Sequence, residues 1–258
     1  AVQAYLDKRR IRRGIAVRFG MGAAPDSWDA LLTAMTHKGY TKQELISAGL
    51  AVNGKNGRLY DKFRNRLMLP VIDVRGDVVG FGSRVLDKSE PKYMNTPETL
   101  TYSKRRILYG MNLAKKSKRS NIILCEGNLD VVTLHQAGFD NAVASMGTAL
   151  TVEQTRLLSR FTKELVLCYD NDNAGKIATE RALQILNGSE FSVKVLQLPR
   201  RLVDGEYIKQ DADDFIKFQG PDAFERLLNG SENGVEFRMA QIAGKYDLKD
   251  DEARIAYC

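Results

Sequence analysis

From Asn121 onward, short apolar runs alternate with amphipathic stretches. Ile122–Cys125, Asn141–Ser145, Leu165–Tyr169 and Phe191–Leu198 read as strands, the last bounded by Pro199. Between them, Leu129–Gln136, Val152–Arg160 and Ala174–Leu186 carry helical periodicity. Apolar strands alternating with amphipathic helices predict an α/β unit with a mostly parallel sheet covered on both faces.

The first half is patterned differently. Ala1–Arg13 is basic and reads as a helix followed by a coil. Asp26 is placed to cap a helix with Trp28, Leu31, Leu32 and Met35 on one face, ended by Gly39. Thr41 and Glu44 have the spacing of a capping box, opening a short helix that Gly49 closes. Arg66–Ile72 and Val78–Leu86 read as strands joined by the turn Arg75-Gly76-Asp77. The tail, Pro221–Cys258, has helical periodicity and polar character.

Charge divides the chain at about the same place. Residues 1–120 hold 24 Lys+Arg against 10 Asp+Glu, a balance of +14, whereas residues 121–258 hold 15 basic and 22 acidic residues, a balance of −7. A polyanion-binding surface beside a cation-binding site has this signature, although two solvated surfaces of opposite bias have it too. Cys125 and Cys168 sit inside apolar runs and read as core residues. With two histidines and no Cys-x-x-Cys, no zinc site is expected in this piece. No apolar run approaches bilayer length, so no membrane association is expected, and a reducing, cytoplasmic setting fits best. The chain opens on Ala1 and stops at Cys258, which suggests a fragment of a longer protein.

The acidic residues of the second half fall at particular places. Glu126 directly follows the first of its strands and Asp170 the third, so both point to one edge of the sheet, where ligands of open parallel sheets gather. Asp172 lies in the turn Asp170-Asn171-Asp172-Asn173-Ala174-Gly175. Asp130 is one helical turn past Glu126 and faces the same site if its helix begins near Asn128. Asp211, Asp213 and Asp214 follow the fourth strand, and of these Asp214 reads as merely solvated. Carboxylates so crowded raise one another's pKa unless a cation sits among them, and hard oxygen ligands suit Mg²⁺ or Mn²⁺. Any one of these acids alone would be read as a helix cap or turn former.

With these residues laid out, the second half resembles the Toprim domain of topoisomerases and primases. The matching runs are Glu126-Gly127-Asn128-Leu129-Asp130, Asp170 to Gly175, and Asp211-Ala212-Asp213-Asp214-Phe215 as the last acidic motif. Ala142–Thr151 looks like the segment that bacterial primases of the DnaG type carry between them. The first half narrows the resemblance to those primases, through Phe63–Val71, Val79–Arg84, Pro91–Thr99, Tyr102-Ser103-Lys104 and Leu108-Tyr109-Gly110. The likeness covers roughly residues 15–218. Asn171 stands where Gly is common, a change that Asn tolerates by accepting left-handed backbone. Asn128 stands for a frequent Tyr and Ala212 for a frequent Pro.

The resemblance implies a fold that is α/β, α+β overall: a Toprim-type parallel sheet flanked by helices (residues 120–218), preceded by a mixed α/β basic subdomain (1–119) and followed by a small helical subdomain (219–258). It implies DNA-templated synthesis of RNA primers by metal-dependent nucleotidyl transfer. Glu126, Asp170 and Asp172 would hold Mg²⁺, for which Mn²⁺ substitutes, with Asp130, Asp211 and Asp213 as nearby carboxylates. Arg64, Arg66, Arg84, Lys92, Tyr93, Asn95 and Lys104 would grip template or nucleotide, although each taken singly is an ordinary surface or core residue. The implied partners are single-stranded DNA, ribonucleoside triphosphates and the RNA primer. A zinc-binding domain and the replicative helicase would be met through regions outside this chain, in the cytoplasmic replisome at the nucleoid. Two rivals are a Toprim nuclease or topoisomerase-like strand cleaver, and a binding module that does not turn over.

Overall fold

The structure, a computed structural model, describes residues 1–203 and 205–243. Val2–Lys8 (α1) and Arg13–Arg18 (α2) open the chain and bury Leu6, Ile11, Ala16 and Phe19. Then follow Gly22–Ala24 (β1), Ala30–His37 (α3), Lys42–Ser47 (α4), Ala51–Asn53 (β2), Leu59–Asp61 (β3), Arg66–Ile72 (β4), Val78–Val85 (β5) and Tyr93–Asn95 (β6). β1, β4, β5 and β6 form an antiparallel sheet in that order, and β2–β3 is a separate hairpin.

The Thr41–Glu44 capping box forms, and Gly49 ends that helix at φ +69°. Helix α3 departs from its expected start. It begins at Ala30, and the carboxylate of Asp61 accepts from the backbone N–H groups of Leu31 and Leu32 at 2.7 and 2.8 Å. A carboxylate delivered by β3 thus does the capping expected of Asp26, satisfying donors that any helix start leaves open. The expected apolar face of α3 is not a core face. No residue of the helix is buried, and Trp28, just ahead of it, is 59% exposed.

The second half contains Leu108–Tyr109 (β7), Met111–Ala114 (α5), Asn121–Cys125 (β8), Asn128–Gln136 (α6), Ala142–Ser145 (β9), Val152–Leu158 (α7), Glu164–Cys168 (β10), Asn173–Leu186 (α8) and Ser192–Val195 (β11). Arg201–Val203 (β12) and Glu206–Ile208 (β13) make a hairpin that the pattern did not announce. Ala212–Gln219 (α9), Pro221–Asn229 (α10), Glu232–Asn233 (β14) and Gly234–Ala243 (α11) complete the described chain. The expected helical tail from residue 244 to 258 lies outside the described residues.

The second sheet runs β14-β11-β10-β8-β9-β7. Its four inner strands are parallel, as the alternation of strand and helix predicts, and its two edge strands are antiparallel. Those edges come from segments that the sequence assigns to the flanking regions, so the sheet reaches past the expected cuts at 119/120 and 218/219.

Alternate residues of the inner strands enter opposite layers. Ile123, Cys125, Val166, Cys168, Ala142 and Ala144 join a core that continues through Phe19, Leu67 and Leu69 to Phe215 and Phe224. Ile122, Leu124, Leu165, Leu167 and Val143 join the other core, beneath Leu158, Ala182, Leu183 and Leu186. Ile123, Leu124, Leu165 and Val166 are fully buried, and each such side chain contributes roughly 1.5–3 kcal/mol. The strands that carry the acidic residues therefore end on a stiff double-sided platform. Because the first core spans both sheets, the basic half is fixed against it.

Candidate active site

β8 and β10 are neighbours, but the chain leaves them in opposite directions, through α6 to β9 and through α8 to β11. Such a switch point opens a crevice at the carboxyl ends of the strands. Cys125 pairs in register with Cys168, so Glu126 and Asp170 emerge side by side. The Glu126 carboxylate accepts from the Asp170 backbone N–H at 3.1 Å. The two acidic motifs, 44 residues apart, meet here.

Two glycines allow the turns. A Cβ on Gly175 would lie 1.9 Å from the carbonyl oxygen of Asp170, and one on Gly127 would lie 2.6 Å from an Asp130 oxygen. The first is against backbone, so no larger residue fits at Gly175, and the second would displace the Asp130 carboxylate from the Gly127 N–H. Asp172 caps α8, accepting from the Gly175 N–H at 2.9 Å. Asp130, in the first turn of a helix that does begin at Asn128, accepts from the Gly127 N–H at 3.2 Å. Asn171 is not left-handed; its amide donates to the Leu198 carbonyl at 3.0 Å, so the turn is held by a side-chain bond instead of a positive φ.

Glu126, Asp130, Asp170 and Asp211 all have raised pKa values, foremost through burial and then through the charges of neighbouring aspartates, which for Asp211 are Asp214 and Asp213. Asp172 moves the other way. The Lys209 ammonium sits 2.7 Å from its carboxylate, and this bond with that of Gly175 N–H lowers its pKa. Lys209 also lies 3.9 Å from Asp170.

The last acidic motif divides contrary to expectation. Asp211 and Asp214 line the cleft with Glu126, Asp130 and Asp170. Asp213 turns away. Its side chain is 2% exposed, one oxygen accepts from Thr133, and the other meets Arg9 at 2.5 Å and the Lys217 ammonium. Although oxygens of Asp211, Asp213 and Asp214 lie within 4.8 Å of one another, those of Asp213 are already engaged. The reason is helical geometry. Asp211 caps α9 and Asp213 falls on the side that packs against α6, leaving Asp214 on the open side. The expectation of a solvated Asp214 and a site-facing Asp213 is thus reversed.

Across the cleft, whose volume is about 430 Å³, stand Lys92, Tyr93 and Asn95 of the basic half. Asn95 donates to the Met146 carbonyl at 3.2 Å, tying β6 to the acidic sheet. Arg84 does not line the cleft; it donates to the Tyr93 hydroxyl at 2.5 Å and lies 5.0 Å from that ring. Arg66 is 5% exposed and donates to the Pro91 carbonyl at 2.8 Å, so it holds the loop that carries Lys92. Lys104 is outside the lining. Arg64 lies elsewhere, 4.1 Å from the Trp28 ring and 5.0 Å from that of Tyr60, beside an open cleft of about 620 Å³ lined by Trp28, Tyr60, Lys55 and Arg58. Sequence reasoning missed Lys209 and this aromatic cleft. A lysine two residues before an acidic run was the available signal for the first; for the second there was only the chain's single tryptophan, in the basic half.

The donor set fits a divalent cation. Four carboxylates with raised pKa values border one cleft, and the only ammonium bonded to any acid of the cluster's edge among the described residues is that of the exposed Lys209. Crowded oxygen donors without compensating charge are the environment in which a hard cation relieves repulsion.

The N-terminal domain model of the DNA primase catalytic core matches residues 1–115, and the Toprim-like family matches residues 123–216. The DNA primase of Clostridium acetobutylicum is 44% identical over 258 residues, which cover all of this chain and 42% of that protein. The chain therefore spans less than half the length of this curated relative. The Escherichia coli primase catalytic core superposes with a TM-score of 0.85 at 36% identity, covering 99% of this chain and 80% of that one. A DnaG primase catalytic domain solved bound to ssDNA gives the same TM-score and identity, with 99% and 82% covered. Motifs, topology and likeness agree, and the chain belongs to the DNA primase catalytic core family, with a Toprim-like second half.

Proposed function

We propose that this chain catalyses DNA-templated synthesis of short RNA primers for replication, by nucleotidyl transfer from ribonucleoside triphosphates. The observation that carries the reading is the meeting of Glu126 and Asp170 at the switch point, with Lys92 and Asn95 facing them across one cleft. Glu126, Asp170 and Asp172 are the residues to hold Mg²⁺, or Mn²⁺ in its place, with Asp130, Asp211 and Asp214 around them. An ion held there would supply a lowered pKa at a primer 3′-hydroxyl and charge to offset the leaving pyrophosphate. That hydroxyl oxygen bonds to the α-phosphorus as the bond to pyrophosphate breaks, and its proton passes to solvent.

The chain's own residues orient the reactants. Lys92 and Lys209 are placed to bind the triphosphate, Lys209 by exchanging its carboxylate partners for phosphate. Asn95 offers an amide for a phosphate or base. Tyr93 is 52% exposed and held by Arg84, which suits it to stack on a base. Trp28, Tyr60 and Arg64 suit a single-stranded template, in keeping with the single-stranded DNA on the solved relative. Arg66 acts through the loop it holds, and Lys104 joins the flanking basic surface. A zinc-binding domain and the replicative helicase are proposed as partners through regions outside the chain, in the cytoplasmic primosome at the nucleoid. Among the described residues no helix is long and apolar enough to cross a membrane.

The test is incubation with single-stranded DNA, a pre-annealed primer, Mg²⁺ or Mn²⁺ and labelled ribonucleotides. Extended RNA supports the reading. Nicked DNA in its place would favour the nuclease, and tight binding without either would favour a binding module.

A further inference from the structure

A second cavity, of about 330 Å³, shares Glu126 and Gly147 with the cleft but lies between the segment 145–149 and helix α8. On the helix its wall is Ala174, Ile177, Ala178 and Arg181, which are spaced as one helical face. That face adjoins the one that packs the core, where α8 buries Gly175, Thr179, Ala182, Leu183 and Leu186 and also rests Ala178. Folding leaves Ile177 52% exposed, so core packing does not account for an apolar side chain at that position.

Three polar side chains around this cavity, besides Glu126, are unpartnered among the described residues. Ser145, at the end of β9 and 5% exposed, lines it with no side-chain hydrogen bond among the described residues. The Thr148 hydroxyl and the exposed Arg181 guanidinium are likewise without partners among the described residues. Hydroxyls left open to a cavity can donate to or accept from a ligand without first breaking a protein hydrogen bond. Two hydroxyls, one guanidinium and a small apolar floor therefore converge beside a carboxylate of the first cleft.

We propose that this cavity receives the 3′-terminal ribonucleotide of the growing strand, with Arg181 on its phosphate and the Ser145 and Thr148 hydroxyls on its sugar. The assignment rests on the polymerase reading above and deepens it. Nucleotidyl transfer needs two nucleotides to meet at the same carboxylates. The triphosphate carries the greater charge and matches the cleft with two lysines. A strand end brings one phosphodiester and ribose hydroxyls, which match one guanidinium and two hydroxyls. Ala174, Ile177 and Ala178 leave a flat apolar surface for the sugar edge or base. Glu126, bordering both cavities, stands where the new bond forms.

The test uses the full chain and a fluorescent RNA primer annealed to a DNA template with a recessed 3′ end, read by anisotropy with Mg²⁺ and without nucleotide. Arg181→Glu should weaken binding roughly tenfold, the size of one charge-assisted contact, and Arg181→Lys should restore most of it. In extension assays Arg181→Glu should raise KM for the primer–template by a similar factor and leave KM for the nucleotide where it was. Thr148→Val should act in the same direction by a few-fold. Unchanged primer–template affinity in both Arg181→Glu and Thr148→Val would overturn the proposal. So would a rise in nucleotide KM alone, which would assign the cavity to the incoming triphosphate. If the wild type extends no primer, the polymerase reading fails on its own. The anisotropy series would then still decide whether the cavity holds a recessed strand end.

Discussion

The two walls of the cleft hold their side chains by different means. On the acidic wall four carboxylates accept from a backbone N–H: Glu126 from Asp170, Asp130 from Gly127, Asp172 from Gly175 and Asp211 from Asp214. In the basic half, at the cleft and away from it, three cationic side chains lie instead against aromatic rings. Arg84 lies on Tyr93, Lys92 is 5.6 Å from the same ring, and Arg64 lies on Trp28. Backbone anchoring gives fixed positions, suited to metal geometry and developing charge. Stacked cations keep freedom to follow a polymer of varying sequence. Loss of an acidic residue should therefore abolish chemistry, whereas loss of a basic one should alter affinity.

The largest expected effect tests the acidic wall. Glu126→Gln and Asp170→Asn should each reduce RNA synthesis by roughly three orders of magnitude, with the circular dichroism spectrum and cooperative melting retained. Full activity in both would break the comparison. Next comes Asp213, which belongs to the acidic motif but not to the cleft. Asp213→Ala strands Arg9 and Lys217, which are only partly exposed, and should lower stability by about 3 kcal/mol in urea unfolding. A stable but inactive variant would instead return Asp213 to the metal site.

The basic wall should respond more mildly. Lys92→Ala and Lys209→Met are expected to raise nucleotide KM roughly tenfold with smaller changes in kcat. Trp28→Ala should weaken single-stranded DNA binding by about 1–2 kcal/mol while nucleotide KM holds, and binding of the wild type should fall steeply with salt. A collapse of kcat in any of these would erase the contrast.

The smallest effect is in pH dependence. Glu126, Asp130, Asp170 and Asp211 have folded pKa values above their unfolded ones, so the folded state takes up protons more readily and their ionisation destabilises it. Without metal, Tm should rise by a few degrees as pH falls from neutrality towards the ordinary carboxylate range. Asp172, with its pKa lowered, contributes stability above its ordinary value and loses it only as pH falls through its folded pKa. Millimolar Mn²⁺ should raise Tm more at neutral pH than in acid, and more for the wild type than for Asp172→Asn. A flat calorimetric profile would show that the acids are not coupled as described.

Much of this was legible in the residues themselves. Strand and helix periods marked the parallel sheet, because β8, β9 and β10 are buried on both faces and are therefore largely apolar. Glu126 and Asp170 were legible because ligand sites of such sheets fall at strand ends. Short-range patterns also held where the chemistry is local, as in the Thr41–Glu44 capping box. Contacts from afar could not be read in the same way. They include Asp61 capping a helix 30 residues upstream, Arg9 reaching Asp213, and Lys209 carried to Asp172 by an unannounced hairpin.

The sequence by itself thus determined the α/β layering, the edge at which the acidic residues gather and the charge contrast between the halves, since periodicity and spacing act along the chain. Only the tertiary structure decided that Asp214 and not Asp213 faces the cleft, that Trp28 stands in solvent beneath Arg64, and that one face of α8 is left open beside Glu126. Those outcomes depend on which of several chemically equal side chains finds a partner from another element, and packing alone sets that choice.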